Sequence, residues 1–179
     1  MISFINYHKI KMVQKLVLPL LFLSVSVLSA HAQNWVKQDL YGIATISFSG
    51  TPEAETQDNM RAYNFLSDNG LQYVVVQQMD MLKDLPDSEI DNFYNGFIGG
   101  FLGSLDRESA NDTKPFKAGK YEGRSFSSVK DGAVDYLHYH RVILIGDVVI
   151  VYNYALLEKE NDTIQAEKDA FFNSFSLKN

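Results

Sequence analysis

"AVDYLHYHRVILIGDVVIVYNYAL", residues 133–156, sets two runs of β-branched and aromatic residues on either side of Gly146-Asp147. That dipeptide supplies the positive φ that two-residue type I′ or II′ turns need, so the stretch reads as an antiparallel hairpin. A two-residue turn here fixes the register, with Ile145 facing Val148, His140 facing Asn153 and His138 facing Ala155. Val142, Ile143, Leu144 and Ile145 are apolar at successive positions, the pattern of a strand covered on both faces. The other end of the hairpin is polar and aromatic, and a groove is expected there.

Two further hairpin signals extend the sheet. Asn69-Gly70 joins "MRAYNFLSD" to "LQYVVVQQM", and Asp131-Gly132 joins "GRSFSSVK" to the first strand of the quoted stretch. If the Asp131-Gly132 reversal is also two residues long, His138 faces Ser125 and His140 faces Gly123. Opposed residues share a face. One face then gathers Ser125, Ser127, Tyr136, His138, His140 and Asn153, and the other Arg124, Phe126, Leu137, Tyr139, Arg141, Tyr152 and Tyr154. Upstream, "WVKQD" and "IATISF" read as a shorter opening pair, ended by Gly50 and Pro52.

Two segments carry the helical period instead. In "DSEIDNFYNGFIGGFLGSL" (residues 87–105), Ile90, Phe93, Tyr94, Phe97, Ile98, Phe101, Leu102 and Leu105 fall on one stripe behind an Asp or Ser cap. The last helix starts at "NDTIQ", with Asp162 or Thr163 as the cap, and buries Ile164, Phe171 and Phe175. Strands, helix, strands, helix in that order imply the α+β class, an antiparallel β-sheet flanked by helices in an α/β/α sandwich. Gly96, Gly99, Gly100 and Gly103 lie opposite the apolar stripe of the first helix, and interior glycine costs about 0.8–1.0 kcal/mol relative to alanine. The preferred reading is a helix that ends or distorts near Gly99-Gly100. The other is a smooth face for close approach by a partner, including a homodimer.

Residues 1–32 have the parts of a cleaved signal peptide: Lys9, Lys11 and Lys15, then "LVLPLLFLSVSVL", then "AHA" before Gln33. The start is either Met1 or Met12. The apolar run is shorter than the roughly 20 residues that span a bilayer, so no membrane insertion is expected after cleavage. The chain has no cysteine, which excludes a lipid-anchor cysteine, disulfides and thiolate chemistry. These features point to a periplasmic or secreted protein of one domain, residues 33–179. Removing the signal leaves 13 Lys and Arg against 22 Asp and Glu, a formal charge of −9 with no basic cluster, which excludes nucleic acid as a partner.

His138 and His140 are the only histidines of the mature chain. A metal site needs a third ligand, which here must be Asp or Glu, and Asp135 points to the other face. Nucleophilic catalysis by Ser125 or Ser127 with His138 lacks an acid to orient the imidazole and a G-x-S-x-G elbow. Hydrogen-bonded places in a half-buried sheet face are the preferred reading, so no catalytic residue, metal or cofactor is expected. Arg141 opposite Tyr152 suits a guanidinium over a ring, and Arg124 and Arg141 among tyrosines could equally clamp a carboxylate or a peptide edge. The candidate ligand-binding set is therefore Ser125, Tyr136, His138, His140, Asn153, Arg124 and Arg141.

"ISFSGTPE", "KYEGRSFSSV", "DYLHYHRVILIGDVVIVYNYA" and "FFNSFSLKN" together resemble exported bacterial domains that share the fold of the photosystem II extrinsic protein PsbP and the Ran-binding proteins of the Mog family. The resemblance spans about Trp35 to Leu177. It departs at the proline, which follows Phe48 only after Ser49, Gly50 and Thr51, and in the missing lipid-anchor cysteine. It implies an antiparallel sheet between helical layers, and a role in binding or assembling other proteins rather than catalysis. The expected function is an exported, non-enzymatic domain that binds a protein or envelope component. The alternative is a small-molecule-binding or hydrolytic protein using the Ser125, His138, His140 and Asn153 face.

Overall fold

The computed structural model describes residues 34–104, 110–130 and 136–178. The signal-peptide reading and the Asp131-Gly132 turn fall outside them. The chain runs β1 (Val36–Leu40), β2 (Ala44–Phe48), β3 (Glu53–Gln57), β4 (Met60–Leu66), β5 (Gly70–Gln78), α1 (Ile90–Ser104), β6 (Asn111–Ala118), β7 (Tyr121–Lys130), β8 (Tyr136–Ile145), β9 (Val148–Leu156), α2 (Asp162–Asn173) and β10 (Ser176–Leu177). Seven strands form one sheet in the order β3-β4-β5-β9-β8-β7-β6, and β1-β2-β10 form a second. All paired neighbours are antiparallel.

The apolar run of β8 and β9 is buried on both faces, as its pattern requires. On one face Ile143, Ile150, Tyr152 and Tyr154 pack with Val74 and Val76 against Leu40, Ile46 and Phe48 of the small sheet and Ile164, Phe171 and Phe172 of α2. On the other, Val142, Val149, Val151 and Phe126 pack against Tyr94, Ile98 and Leu102 of α1. Each such aliphatic or aromatic side chain contributes about 1.5–3 kcal/mol on burial, so the two cores fix both helices to opposite faces.

The Gly146 reversal is as expected, with φ of +63° at Gly146 and Ile145 opposite Val148. The β4–β5 turn sits one residue earlier than its dipeptide suggested. Ser67 N–H donates to the Gly70 carbonyl, so Asp68 and Asn69 form the bend and Gly70 belongs to β5. Glycine is required there for space, because a Cβ would stand 2.5 Å from the Tyr154 ring.

The β7–β8 connection is longer than expected and changes the site. Lys130 pairs with Tyr136, which leaves five residues between the strands and shifts the register by three. An odd shift turns every β7 side chain to the other face. Ser125 lies opposite Arg141 and Ser127 opposite Tyr139, on the α2 face, whereas Phe126 lies opposite His140 and Ser128 opposite His138, on the α1 face.

α1 runs without a break through Gly99-Gly100, so the expected stop is not formed. Burial of Tyr94, Ile98 and Leu102, and a ladder of Phe93, Phe97 and Phe101 rings spaced 5.7 and 6.3 Å apart, hold the helix straight where glycine alone would end it. A Cβ at Gly96, Gly99, Gly100 or Gly103 would meet nothing within 4 Å. The expected Asp or Ser cap is also replaced, by a single 3-10 turn, Asp87–Glu89, behind Pro86. On α2 the cap is Asn161, not Asp162 or Thr163; its side chain accepts from the N–H groups of Thr163 and Ile164 at 3.0 Å. Phe175 lies beyond this helix and stacks on Tyr152 at 4.9 Å. The unforeseen strands β3 and β6 form the two margins of the large sheet. β3 is exposed throughout, and β6 carries Pro115 and a register shift between Asn111 and Lys114.

Candidate functional site

The two histidines part company in the folded chain. His140 is 2% exposed and stands in a chain of hydrogen bonds across three strands. Its Nδ1 lies 2.8 Å from Asn153 Oδ1 and its Nε2 2.8 Å from Ser128 Oγ. An amide oxygen only accepts, so Nδ1 carries a proton, and in the neutral ring Nε2 then accepts the Ser128 hydroxyl. Phe126 stacks on the imidazole at 4.7 Å and Phe101 of α1 meets it edge-on at 5.4 Å. His138 is half-buried, its ring 6.0 Å from that of His140.

Serine, imidazole and amide in this sequence have the geometry of a nucleophilic triad with asparagine in the orienting place. Ser128, however, is completely enclosed, so its hydroxyl is sealed from any substrate. The trio is a satisfied buried network that ties β7, β8 and β9 together. Metal ligation by His140 through either nitrogen would displace the hydrogen bond that nitrogen makes, and among the described residues no three His, Asp or Glu side chains converge. Ser125 and Ser127, placed by sequence beside the histidines, are on the reverse of the sheet, and Ser128, adjacent in sequence, takes their position. Tyr136 stands in β8 opposite Lys130.

The reverse face carries a concave surface. Beside the last turns of α2, a cavity of about 290 Å³ is lined by Ser125, Ser127, Tyr139 and Arg141 from the sheet, Lys114 from β6, and Lys168 and Phe172 from α2. The Arg141 guanidinium stands over the rings of Phe116 and Phe172, 5.1 and 5.0 Å from their centres. Its Nη1 donates to the Phe172 carbonyl at 3.2 Å. Among the described residues no carboxylate pairs with it. Arg141 does face Tyr152 across the strands, as expected, but its cation rests on phenylalanine rings rather than on that tyrosine. The Tyr152 hydroxyl is buried, and burial pushes it up to about 12 against the charge and hydrogen bonding of Arg141.

At the edge of the cavity, Lys168 sits 3.9 Å above the Tyr139 ring and pairs with Glu160, which also accepts from Tyr139 Oη at 2.8 Å. Burial and the Glu160 carboxylate push the Tyr139 phenol up, and Lys168 holds Glu160 below the usual carboxylate range. Arg124 does not join Arg141. The register shift carries it to the α1 face, 5.0 Å over the Tyr94 ring, where it pairs with Glu122 and Asp91. Sequence reading also passed over Glu167, buried on α2 and bonded by Ser49, Gln72 and Asn69.

No family model matches the chain, and no curated protein matches it significantly. Solved structures do share its fold. PsbP (CyanoP) from Synechocystis sp. PCC 6803 superposes with a TM-score of 0.59 at 11% identity, over 83% of this chain and 95% of that one. A crystal structure from Bacteroides thetaiotaomicron matches at a TM-score of 0.48 and 8% identity, over 80% of this chain and 48% of that one. LpqN of Mycobacterium tuberculosis, a protein involved in cell envelope biogenesis, matches at 0.46 and 10%, over 82% and 90%. The fold is PsbP-like. The PsbP part of the resemblance is thereby supported, and the Ran-binding part gains no support. At these identities the likeness is one of fold alone.

Proposed function

We propose that the chain is an exported, non-enzymatic binding domain that docks a protein partner in the groove beside α2. The observation that carries this is Arg141. A guanidinium has five N–H donors; this one donates to the Phe172 carbonyl and, among the described residues, has no ion-pair partner, in a cavity that Asp112 and Asp169 also line. Partly desolvating a cation without pairing it costs free energy, and an acceptor supplied from outside recovers that cost.

Export rests on the basic, apolar and A-x-A segments of residues 1–32. The non-enzymatic reading rests on the sealed Ser128 hydroxyl. The rival, a ligand face shared by Ser125, His138, His140 and Asn153, loses its basis because Ser125 projects from the opposite side of the sheet.

The test is a photo-crosslinking amino acid placed at Ser127 in the groove and, as control, at Thr56 on the exposed β3. A discrete protein adduct at Ser127 alone supports docking in the groove. Equal adducts at both positions, or none at Ser127, refute it.

A further inference from the structure

We infer that the Arg141 groove reads a terminal carboxylate, the free end of a partner polypeptide. This deepens the docking reading above and rests on it.

The shape of the donor points to a carboxylate. The guanidinium carbon stands 5.1 and 5.0 Å from the ring centres of Phe116 and Phe172, so two apolar rings restrict the positions its fork can take. In-plane, two-point pairing is how a guanidinium binds a carboxylate. The rings also hold the fork in place, so little side-chain entropy is lost when a ligand arrives.

The local charge selects among anions. Arg141 and Lys114 are two cations of the lining with no ion-pair partner among the described residues, while Lys168 is neutralised by Glu160. Asp112 and Asp169 stand at the same rim. The Phe172 carbonyl that Arg141 touches belongs to the last turn of α2, the negative end of the helix dipole. Two cations offset by two rim carboxylates and a helix C-terminus leave no net positive field, so the site opposes a dianionic phosphate more strongly than a single carboxylate held by direct pairing with Arg141.

Size and surroundings select a chain end over a longer segment. A volume of about 290 Å³ is at the small limit for ligand sites and holds one or two residues. Beside it, β6 cannot accept a long added strand, because Pro115 has no N–H to donate and the strand is irregular between Asn111 and Lys114. Ser127 also lines the cavity and offers a neutral hydroxyl for the peptide group next to a bound carboxylate, while the Ser125 hydroxyl donates to the Lys114 carbonyl.

The experiment titrates the ¹⁵N-labelled full chain with N-acetyl-trialanine, with its C-terminal carboxamide, with free alanine and with inorganic phosphate. The readouts are the Ser125 and Ser127 amide shifts and the Arg141 Nε–H. The carboxylate peptide is expected to give saturable shifts at all three, and the carboxamide to bind at least tenfold more weakly. Arg141→Lys should weaken the peptide about tenfold, since it keeps the charge and loses the fork. Arg141 packs against two rings, so thermal unfolding is followed for each variant. Lys114→Gln, on the exposed margin strand, gives a second variant that leaves the core intact and should weaken binding several-fold. Equal binding of the carboxamide or of phosphate overturns the inference while leaving a docking groove intact. Free alanine binding as tightly as the peptide overturns the polypeptide as the source. A missing Ser127 adduct alongside carboxylate-selective peptide binding refutes protein docking alone.

Discussion

Replacing Gly96 and Gly100 by alanine tests whether the outer face of α1 is open in solution. Both are interior helical positions where a Cβ would meet nothing within 4 Å. Alanine there gains only the difference in helix propensity, about 0.8–1.0 kcal/mol at each site. The two positions are one turn apart with no shared partner, so the double variant should gain about 1.6–2 kcal/mol. For a domain of this size 1 kcal/mol moves Tm by roughly 3–4 °C, and the double variant should melt about 5–8 °C higher. Differential scanning calorimetry and urea unfolding, run at two protein concentrations, provide the measurement. A lower Tm, or a loss that grows with concentration, would mean that a second copy packs onto these glycines, and the open face would be refuted.

The same substitution at Gly70 should have the opposite sign. There a Cβ would press within 2.5 Å of the fully buried Tyr154 ring and 2.8 Å of the Ala155 carbonyl, for a loss of about 1–3 kcal/mol by urea unfolding; a neutral result would contradict the close packing of β5 on β9. Asn153→Ala removes the acceptor that fixes the His140 Nδ1–H and should cost about 1–3 kcal/mol, leaving peptide binding at Arg141 unchanged. A cost below about 0.5 kcal/mol would show that the network contributes nothing to the sheet. Lys168 lowers Glu160 on folding, and such a carboxylate stabilises the fold above its unfolded value of 4.5 and ceases to as pH falls through its lower folded value. Glu160→Gln should therefore lower stability at neutral pH and flatten the acid limb of the stability profile. A variant whose acid limb matches that of the parent chain would disprove the coupling.

The central hairpin was legible because its burial pattern and its turn agree: four successive apolar residues need cover on both faces, and Gly146 alone supplies the left-handed backbone. The neighbouring register was not. In "VKDGAVDY" the Asp-Gly pair has the form of a tight turn, yet Lys130 pairs with Tyr136, and nothing in the sequence between them distinguishes this register from the tighter one. That three-residue shift moved Ser125 away from the histidines and brought Ser128 to His140, and it separated Arg124 from Arg141. Strands β3 and β6 escaped notice because a margin strand buries little, and "EAETQ" and "NDTKPFKA" carry no alternation for burial to reveal. In α1 the glycines signalled a stop, but the burial of Tyr94, Ile98 and Leu102 outweighs a propensity cost of a few kcal/mol. The two rings near Arg141 come from β6 and α2, distant in the chain and silent to periodicity.

Strand β5 has β4 on one side and β9 on the other, and its partner to Val74 is Tyr152, seventy-eight positions later. A ribosome or a translocon delivers the chain from its N-terminus, so the β4–β5 ribbon emerges with one row of backbone groups bare while Val74 and Val76 wait for Tyr152 and Ile150. Sheet assembly therefore depends on the final quarter of the polypeptide, and a topology dominated by such distant pairings folds slowly. Chains truncated before Val148 lack the strand that joins the two halves of the sheet.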